Sequence, residues 1–167
     1  MEPGSTARGV NFVALWGISS LVPSEMVLDA QVKELAQRIV ESGIWTHPIR
    51  VCARSGLVMD GNHRLKAAKS LGLLRVPVVP LSYESQRIKV RNRRVGAPLA
   101  RSRFDAVIRA AALLPYKATL HESEPTLPVT AIALDLLFAP AGGEARCYWF
   151  AKNARVAAMQ TGATSSA

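Results

Sequence analysis

The clearest periodic segment of the chain lies between Asp29 and Gly43. Its apolar residues recur at spacings of three and four, and the positions between them are polar or charged. This period places the apolar side chains on one face of an α-helix. Asp29 is suited to cap the N-terminal end, and Gly43 is suited to end the helix. The pattern therefore predicts an amphipathic helix over 29–43.

Two shorter apolar runs precede this helix, at Val10–Leu15 and Ile18–Val22. Each run has the length and the continuous hydrophobicity of a buried strand. Pro23 ends the second run, because proline has no N–H to donate to a neighbouring strand. Ser24 and Glu25 are therefore expected to lie on a loop.

A β-hairpin followed by a second helix is predicted in the next part of the chain. Ile49–Ala53 and Leu57–Met59 are apolar runs, and the sequence Arg54–Gly56 between them is typical of a turn. The second run continues directly into Asp60–Arg64. The helical pattern that follows ends at Gly72.

Strands are favoured again after this helix. Val76–Leu81 is apolar, but Pro77 and Pro80 cannot donate to a neighbouring strand, which predicts a position at the edge of the sheet. Basic and apolar residues alternate in Arg87–Arg94, which predicts a strand with one basic face. That face is expected to be solvated; the alternatives are that it lines a path for anions or contacts nucleic acid.

These elements divide the chain into three parts. Residues 10–83 are expected to form a compact core, residues 84–155 a C-terminal extension that contributes to the substrate site, and residues 156–167 a disordered tail. The extension contains one helical stripe and two further runs that resemble strands, Val129–Leu137 and Arg146–Phe150.

Composition and charge limit the class of protein. Of the 167 residues 49% are hydrophobic, which is enough for a folded core, and no apolar run is long enough to cross a bilayer. A formal net charge of +9 favours an anionic partner: a nucleotide, a nucleic acid or an acidic lipid. Cys52 and Cys147 match neither a zinc spacing nor a redox spacing, so we expect a cytoplasmic protein without a disulfide framework and without a membrane segment.

The sequence Asp60-Gly61-Asn62-His63-Arg64 carries the strongest chemical signal. A glycine between a strand and a helix lets the backbone approach a ligand, and the N–H groups at the start of the helix attract a negative charge by about 0.3–1 kcal/mol. His63 and Arg64 add donors for phosphate, and Asp60 could hold magnesium through water or accept a proton. The structural alternative is a tight turn in which Asp60 caps the helix and Arg64 is solvated.

Several short motifs occur in a fixed order between Leu21 and Tyr83. They are Pro23-Ser24-Glu25, Gly43, Pro48-Ile49-Arg50-Val51, Asp60-Gly61-Asn62-His63-Arg64, Ala68-Lys69-Ser70-Leu71-Gly72 and Val76-Pro77-Val78. In this order they resemble the ParB/sulfiredoxin superfamily. The resemblance implies an α+β fold, in which a small mixed sheet with packed helices forms a nucleotide-binding core, followed by an extension of helices and strands.

The branches of this superfamily differ at the phosphate loop. Sulfiredoxins have a reactive cysteine where this chain has Asn62, and without a thiolate the sulfinyl chemistry is excluded. The clamp-forming partition proteins have a different loop and continue into a helix-turn-helix domain, which is not expected here. Free serine kinases have a loop close to D-G-H-H-R and a later segment like P-x-K-T-T-R-H. Pro115–His121 is similar to that segment, with departures at Ala118 and Leu120.

The resemblance to free serine kinases implies roles for specific residues. Such an enzyme transfers a phosphoryl group from ADP or ATP, with Mg²⁺, to the hydroxyl of free serine or a similar small amino acid, in a specialised biosynthetic pathway. Glu25 would act on the hydroxyl, and Asp60 would assist through magnesium or proton transfer. The phosphates would bind at Gly61, Asn62, His63 and Arg64, and the acceptor would bind at Lys117, Thr119 and His121. No metal site made of protein side chains alone is expected.

A second hypothesis is a non-catalytic nucleotide-binding regulator of the ParB-like type that contacts DNA. In free serine kinases an aromatic residue packs on the bound amino acid after the core strand, but Arg87–Arg94 has no aromatic residue. Trp45 and His47 are expected to pack rather than to bind a ligand. A nuclease is the weakest hypothesis, because the sequence shows no cluster of metal-binding carboxylates.

Overall fold

The computed structural model of the protein describes residues 11–84, 88–110, 112–123, 127–139 and 147–150. The strands are β1 (Asn11–Gly17), β2 (Ile44–Trp45), β3 (Ile49–Cys52), β4 (Val58–Asp60), β5 (Arg75–Leu81), β6 (Ile88–Asn92), β7 (Thr119–Ser123), β8 (Ile132–Ala133) and β9 (Cys147–Phe150). The helices are α1 (Asp29–Ser42), α2 (Asn62–Ser70), α3 (Arg101–Ala110) and α4 (Asp135–Phe138).

The central sheet has the strand order β4-β3-β5-β1-β9. The pairing of β3 with β5 is parallel and the other pairings in this sheet are antiparallel, so the sheet is mixed. Two smaller pairs join β2 to β8 and β6 to β7. A small mixed sheet with packed helices confirms the α+β class.

Helices α1 and α2 pack against each other and share one core with the sheet. The buried side chains of this core include Val32, Ala36, Ile39, Leu65, Ala68, Ile49, Val51, Val76 and Val78. Trp45 also lies in this core, and its indole Nε1–H donates to the carbonyl oxygen of His47 at 2.6 Å. Trp45 therefore packs as predicted, with its one polar group satisfied.

Helix α1 confirms the prediction from the periodic segment and corrects its start. Gly43 adopts a left-handed conformation with φ of 67° and caps the C-terminal end of the helix, as expected. Asp29 is the first helical residue, and Leu28 takes the cap position without a side-chain cap bond. The prediction that Asp29 is the N-cap is therefore wrong, although a carboxylate in the first turn still interacts favourably with the helix dipole.

The predicted edge position of the strand around Pro77 is also wrong, because β5 lies in the middle of the sheet. Pro77 lies before Val78, where pairing with β3 begins, and Pro80 lies after Val78, where pairing with β1 ends. Each proline is therefore paired on one side only, Pro77 with Leu15 of β1 and Pro80 with Val51 of β3. On the other side it lies outside the ladder, where no N–H is needed. The run of buried residues in β5 is typical of a strand with both faces covered, and it agrees with the central position better than the prolines do.

Two other segments differ from the sequence pattern. Ile18–Val22 is not a strand: Ile18–Ser20 forms a short 3₁₀ helix, and Val22 makes only an isolated bridge to Leu57. The predicted strand over Val129–Leu137 is limited to β8, and α4 follows it. The division into parts at 10–83, 84–155 and 156–167 stays a prediction, and the predicted tail lies outside the described residues.

The turn of the β3–β4 hairpin gives a test of the fold. Gly56 has φ of 72°, and a Cβ added there would lie 2.1 Å from the carbonyl oxygen of Ser20. Gly56→Ala is expected to lower the free energy of unfolding by about 3 kcal/mol or more, because the left-handed conformation and the backbone clash both cost energy. Urea denaturation measures the loss.

Gly43→Ala is the matched control for this change. Gly43 has φ of 67°, but a Cβ there would meet nothing within 4 Å. Only the backbone conformation is penalised, so we expect a loss of about 1–2 kcal/mol. Equal losses in the two variants would contradict the close approach of Gly56 to Ser20.

Candidate active site

The loop between β4 and α2 forms the floor of the site. Gly61 precedes the first helical residue and has φ of 110°, a conformation that side chains rarely adopt. A Cβ at Gly61 would also lie 3.2 Å from the side chains of Ile49 and Arg64. Glycine is therefore required at this position, and the N-terminal end of α2 is held against the start of β3.

A pocket of about 540 Å³ opens at this end of α2. All of the residues predicted for the site line it: Glu25, Asp60, Gly61, Asn62, His63, Arg64, Lys117, Thr119 and His121. They come from three segments far apart in the sequence, the loop before α1, the β4–α2 junction and the start of β7. The structure thus brings the predicted residues together, while the role of each one stays a prediction.

Glu25 is held in this pocket by backbone bonds on both sides. The N–H of Met26 donates to the carbonyl of Leu114, and the N–H of Leu114 donates to the carbonyl of Ser24, each at 2.8 Å. The Oε1 atom of Glu25 accepts hydrogen bonds from the backbone N–H of Thr119, at 2.8 Å, and from its hydroxyl. The carboxylate therefore points at β7 and has a fixed orientation.

The bond from Thr119 to Glu25 is the last in a chain of hydrogen bonds. Because the hydroxyl proton of Thr119 is used on Glu25, its oxygen is an acceptor for Nδ1–H of His121, at 3.4 Å. Nε2 of His121 then accepts from the hydroxyl of Tyr83 at 3.0 Å. This series of hydrogen bonds requires a neutral imidazole, which agrees with burial lowering the pKa of His121 to about 4.

This depressed pKa predicts a pH-dependent stability. Between pH 6.5 and about pH 4 the unfolded chain binds a proton at His121 that the folded chain does not bind. The stabilisation is therefore complete above pH 6.5 and is lost as the pH falls, by up to about 3 kcal/mol. Urea unfolding at pH 7 and pH 4.5 should show this loss, and His121→Gln should reduce it. An equally steep loss in the variant would contradict the assignment to His121.

Arg64 lines the pocket and also holds two segments of the chain together. Its guanidinium donates to the carbonyl oxygens of His47, at 3.1 Å, and Pro48, and it forms an ion pair with Asp60 at 3.2 Å. Burial lowers the pKa of Arg64, against the opposing effect of Asp60, but an arginine remains charged. Arg64 thus connects α2 to the chain entering β3, and it also lines the pocket.

His63 also makes a bond that fixes its chemistry. Its Nε2 accepts from the N–H of Leu28 at 3.3 Å, which leaves Nδ1 as the nitrogen that carries the proton. Burial, and then the charge of Lys117, lower the pKa of His63. The ring packs edge-on against Tyr116, with centroids 5.6 Å apart. His63 is thus a neutral donor that is held by the loop before α1.

Lys117 has an unusual backbone conformation. Its φ is 49°, and glycine is normally preferred in that region. The N–H of Ala118 donates to the carbonyl of Pro115 in the same tight turn. Lys117 Nζ lies 5.2 Å from the centroid of the Tyr116 ring. Strain of this kind occurs often at functional sites, and here it brings a cation to the edge of the pocket.

Three basic residues that the sequence did not predict for the site also line the pocket: His47, Arg50 and Arg93. Arg50 pairs with Asp60 in the β3–β4 register, and its guanidinium donates to the carbonyl of His121 at 3.0 Å. Arg93 belongs to the basic run, and its Nε donates to the carbonyl of Thr119 at 3.4 Å. Arg50 could have been found from the hairpin, because its register places Arg50 opposite Asp60. Arg93 fits the alternative that the basic run lines a path for anions.

His47 was expected to pack, but it lies at the pocket. The basic residues of β6 itself form the predicted solvated face, because Lys89 is exposed and Arg91 forms an exposed ion pair with Glu122 at 3.5 Å. Within the described ranges no three metal-ligating side chains are grouped. The helices of the same ranges are all too short or too polar to cross a membrane.

Comparisons with known proteins agree with the motifs. No protein-family model matches the chain. An ATP-dependent L-serine kinase of Staphylothermus marinus is 32% identical over 78 residues, which are 44% of this chain and 31% of that protein. A ParB-like protein of Sulfolobus acidocaldarius is 40% identical over 52 residues, 30% of this chain and 26% of that protein. SbnI from Staphylococcus aureus, solved with a C-terminal truncation, superposes with a TM-score of 0.55 at 14% identity and covers 68% of this chain and 83% of that one.

These similarities confirm the resemblance to ParB-like proteins and serine kinases, and the likeness to SbnI supports the fold. The chain spans less than a third of the length of the curated relatives that it matches. The similarity therefore covers a domain-sized segment rather than a whole relative.

Proposed function

We propose that the protein is a kinase that transfers a phosphoryl group from ATP or ADP to the hydroxyl of free serine or a similar small amino acid. The observation that carries this proposal is the position of the Glu25 carboxylate in the same pocket as the N-terminal end of α2. A phosphate group is attracted to a helix N-terminus, and a carboxylate nearby can act on an acceptor hydroxyl. The serine kinase relatives, which are named ATP-dependent, support the same chemistry.

The charge of the pocket suits a polyphosphate. Its cationic side chains are those of Arg50, Arg64, Arg93 and Lys117, and its carboxylates are those of Glu25 and Asp60. The nearby imidazoles of His47, His63 and His121 have pKa values lowered by burial, so they add no charge at neutral pH. The resulting cation excess favours a ligand with several negative charges, such as a nucleotide together with an amino-acid carboxylate.

Each residue then has a defined task. The acceptor hydroxyl gives its proton to Glu25 as its oxygen bonds to the terminal phosphorus of the nucleotide. The bond from that phosphorus to the bridging oxygen breaks, and the shortened nucleotide leaves with the electron pair. Because Thr119 holds Oε1 of Glu25, we assign the proton to the other carboxylate oxygen.

The remaining groups bind and neutralise. The phosphates lie at the backbone of Gly61 and Asn62, with His63 as a neutral donor and Arg64 as a charge. Lys117, Thr119 and His121, which line the same pocket, would hold the acceptor carboxylate or the transferred phosphate. Mg²⁺ fits this donor set, since it binds through one or two carboxylates and the substrate phosphates, and the half-exposed Asp60 is the carboxylate that would hold it. The ion would neutralise charge on the transferred group.

The second candidate is a nucleotide-binding regulator without turnover. It is favoured by the exposed basic face of β6, where Lys89 and Arg91 point away from the core. It is also favoured by Arg93, which lines the pocket just after β6, in the segment where free serine kinases are expected to have an aromatic residue. A regulator binds nucleotide in the same pocket and leaves it unchanged.

A screen of acceptors separates the two candidates. The protein is incubated with Mg²⁺ and either ATP or ADP, together with serine, threonine, homoserine or no acceptor, and the products are identified by mass spectrometry. The kinase proposal requires a phosphorylated amino acid whose formation depends on protein, nucleotide and acceptor. Nucleotide binding without a product for any of these acceptors would favour the regulator.

A further inference from the structure

We infer that the side chain of Asn62 is a positioning residue that sets the place of Glu25, an inference that rests on the proposed function. Asn62 Oδ1 accepts hydrogen bonds from the backbone N–H of Ser24, at 2.9 Å, and of Glu25, at 3.4 Å. Its Nδ2 donates to the hydroxyl oxygen of Ser24 at 3.1 Å. That hydroxyl in turn donates to the carbonyl of Val58 at 2.6 Å.

Because these groups are buried, a lost hydrogen bond at Asn62 is costly. Asn62 is 8% exposed and Ser24 is 1% exposed, so water does not replace a lost partner easily. The arrangement also needs an amide. The Ser24 hydroxyl uses its proton on Val58 and must accept from its other neighbour, which an aspartate at position 62 could not provide.

The side chain of Asn62 is therefore committed to the loop before α1. Its Oδ1 already accepts two hydrogen bonds, the usual capacity of an amide oxygen. A phosphate at this end of α2 is then bound by the backbone N–H of Asn62, while its side chain faces the loop that carries Glu25. The residue connects the nucleotide side of the pocket to the acceptor side.

Glu25 is accordingly fixed from three directions. Asn62 holds its backbone N–H, Leu114 holds the backbone of its neighbours, and Thr119 holds its carboxylate. The bond from Asn62 is the one that links Glu25 to the first turn of α2. Without it, the distance from the carboxylate to the phosphates is no longer set by that helix.

Kinetics test the inference in a double-mutant cycle. Asn62→Leu should lower kcat by about 10²-fold, since a small displacement of a reacting group has an effect of that order, and should change the Kd for ATP less than about threefold. In the Glu25→Gln background, Asn62→Leu should produce almost no further loss, because it acts through Glu25. Independent losses that multiply would overturn the inference.

Asn92 provides a matched control. Its Oδ1 also accepts two backbone N–H groups, those of Arg94 at 2.9 Å and Val95 at 3.3 Å, but it does not line the pocket. Asn92→Leu should leave kcat within about threefold of wild type. A loss in Asn92→Leu equal to that in Asn62→Leu would show a general effect of removing a buried or capping amide, and would overturn the specific role.

Amide hydrogen exchange tests the same bonds without any turnover. Exchange at Ser24 and Glu25 should become at least tenfold faster in Asn62→Leu, while exchange in the middle of α1 is unchanged. Asn62→Asp keeps the acceptor oxygen, is the more conservative variant, and should show a smaller acceleration. Unchanged exchange at both amides would overturn the inference. If the wild type shows no turnover with any acceptor, the kinase proposal fails, and exchange still decides the role of Asn62.

Discussion

Glu25→Gln is expected to lower the rate of phosphoryl transfer by about 10²–10⁴-fold, the usual contribution of a general base. Glutamine has nearly the same shape and can still accept the N–H of Thr119, so the loop should keep its position. The variant loses only the ability to take the proton of the acceptor. Its Kd for ATP, measured by calorimetry, should therefore stay within about threefold of wild type.

Glu34→Gln is the control for this substitution. Glu34 lies on the exposed face of α1 and forms a long ion pair with Arg38, at 3.9 Å. Turnover in Glu34→Gln should equal that of wild type. If Glu25→Gln turns over as fast as wild type under the same conditions, Glu25 has no role in the proton transfer.

Arg64→Ala is expected to have two separate effects. Arg64 lines the pocket at the N-terminal end of α2, where the phosphates are proposed to bind. The affinity for ATP should therefore fall by about 1.5–3 kcal/mol, roughly ten- to hundredfold. The two carbonyls at His47 and Pro48 and the carboxylate of Asp60 also lose their partner. The free energy of unfolding should therefore fall by about 3 kcal/mol.

The two effects are measured separately, by calorimetry with ATP and by urea denaturation. Arg38→Ala is the control, because Arg38 is exposed on α1 and its loss should change the stability by no more than about 0.5 kcal/mol. An unchanged ATP affinity in Arg64→Ala that is still folded would remove Arg64 from the phosphate site and leave it a purely structural role.

The parts of the fold that follow from local patterns were predictable. The period of α1, the turn signal at Gly56 and the glycine between β4 and α2 each depend on residues close together in the sequence. The position of β5 was not predictable in the same way. The prolines favoured an edge, but the pairing of β5 depends on β1 and β3, which lie far away in the chain. Non-local pairing decided the outcome, and each proline lies outside one of the two ladders that β5 forms.

In the candidate site, too, the local motifs were predictable and the contacts between distant segments were not. Asp60–Arg64 could be recognised from a short motif, and the segment containing Thr119 could be recognised by resemblance. That Thr119 begins a strand and bonds to Glu25, 94 residues away, could not be read from any local pattern. Asn62 was expected to bind phosphate because it lies in the phosphate loop. Its side chain instead bonds to Ser24 and Glu25, which only the packing of that loop against α2 reveals.

The most direct test of the kinase proposal is phosphorus NMR of the wild-type protein with Mg²⁺, ATP and serine. A kinase should give a new phosphomonoester signal from phosphoserine, which grows at the rate at which the terminal phosphate signal of ATP is lost. Neither change should occur without serine. Loss of ATP that yields only inorganic phosphate, or ATP that binds and stays intact in the presence of every hydroxyl amino acid, would contradict the kinase proposal.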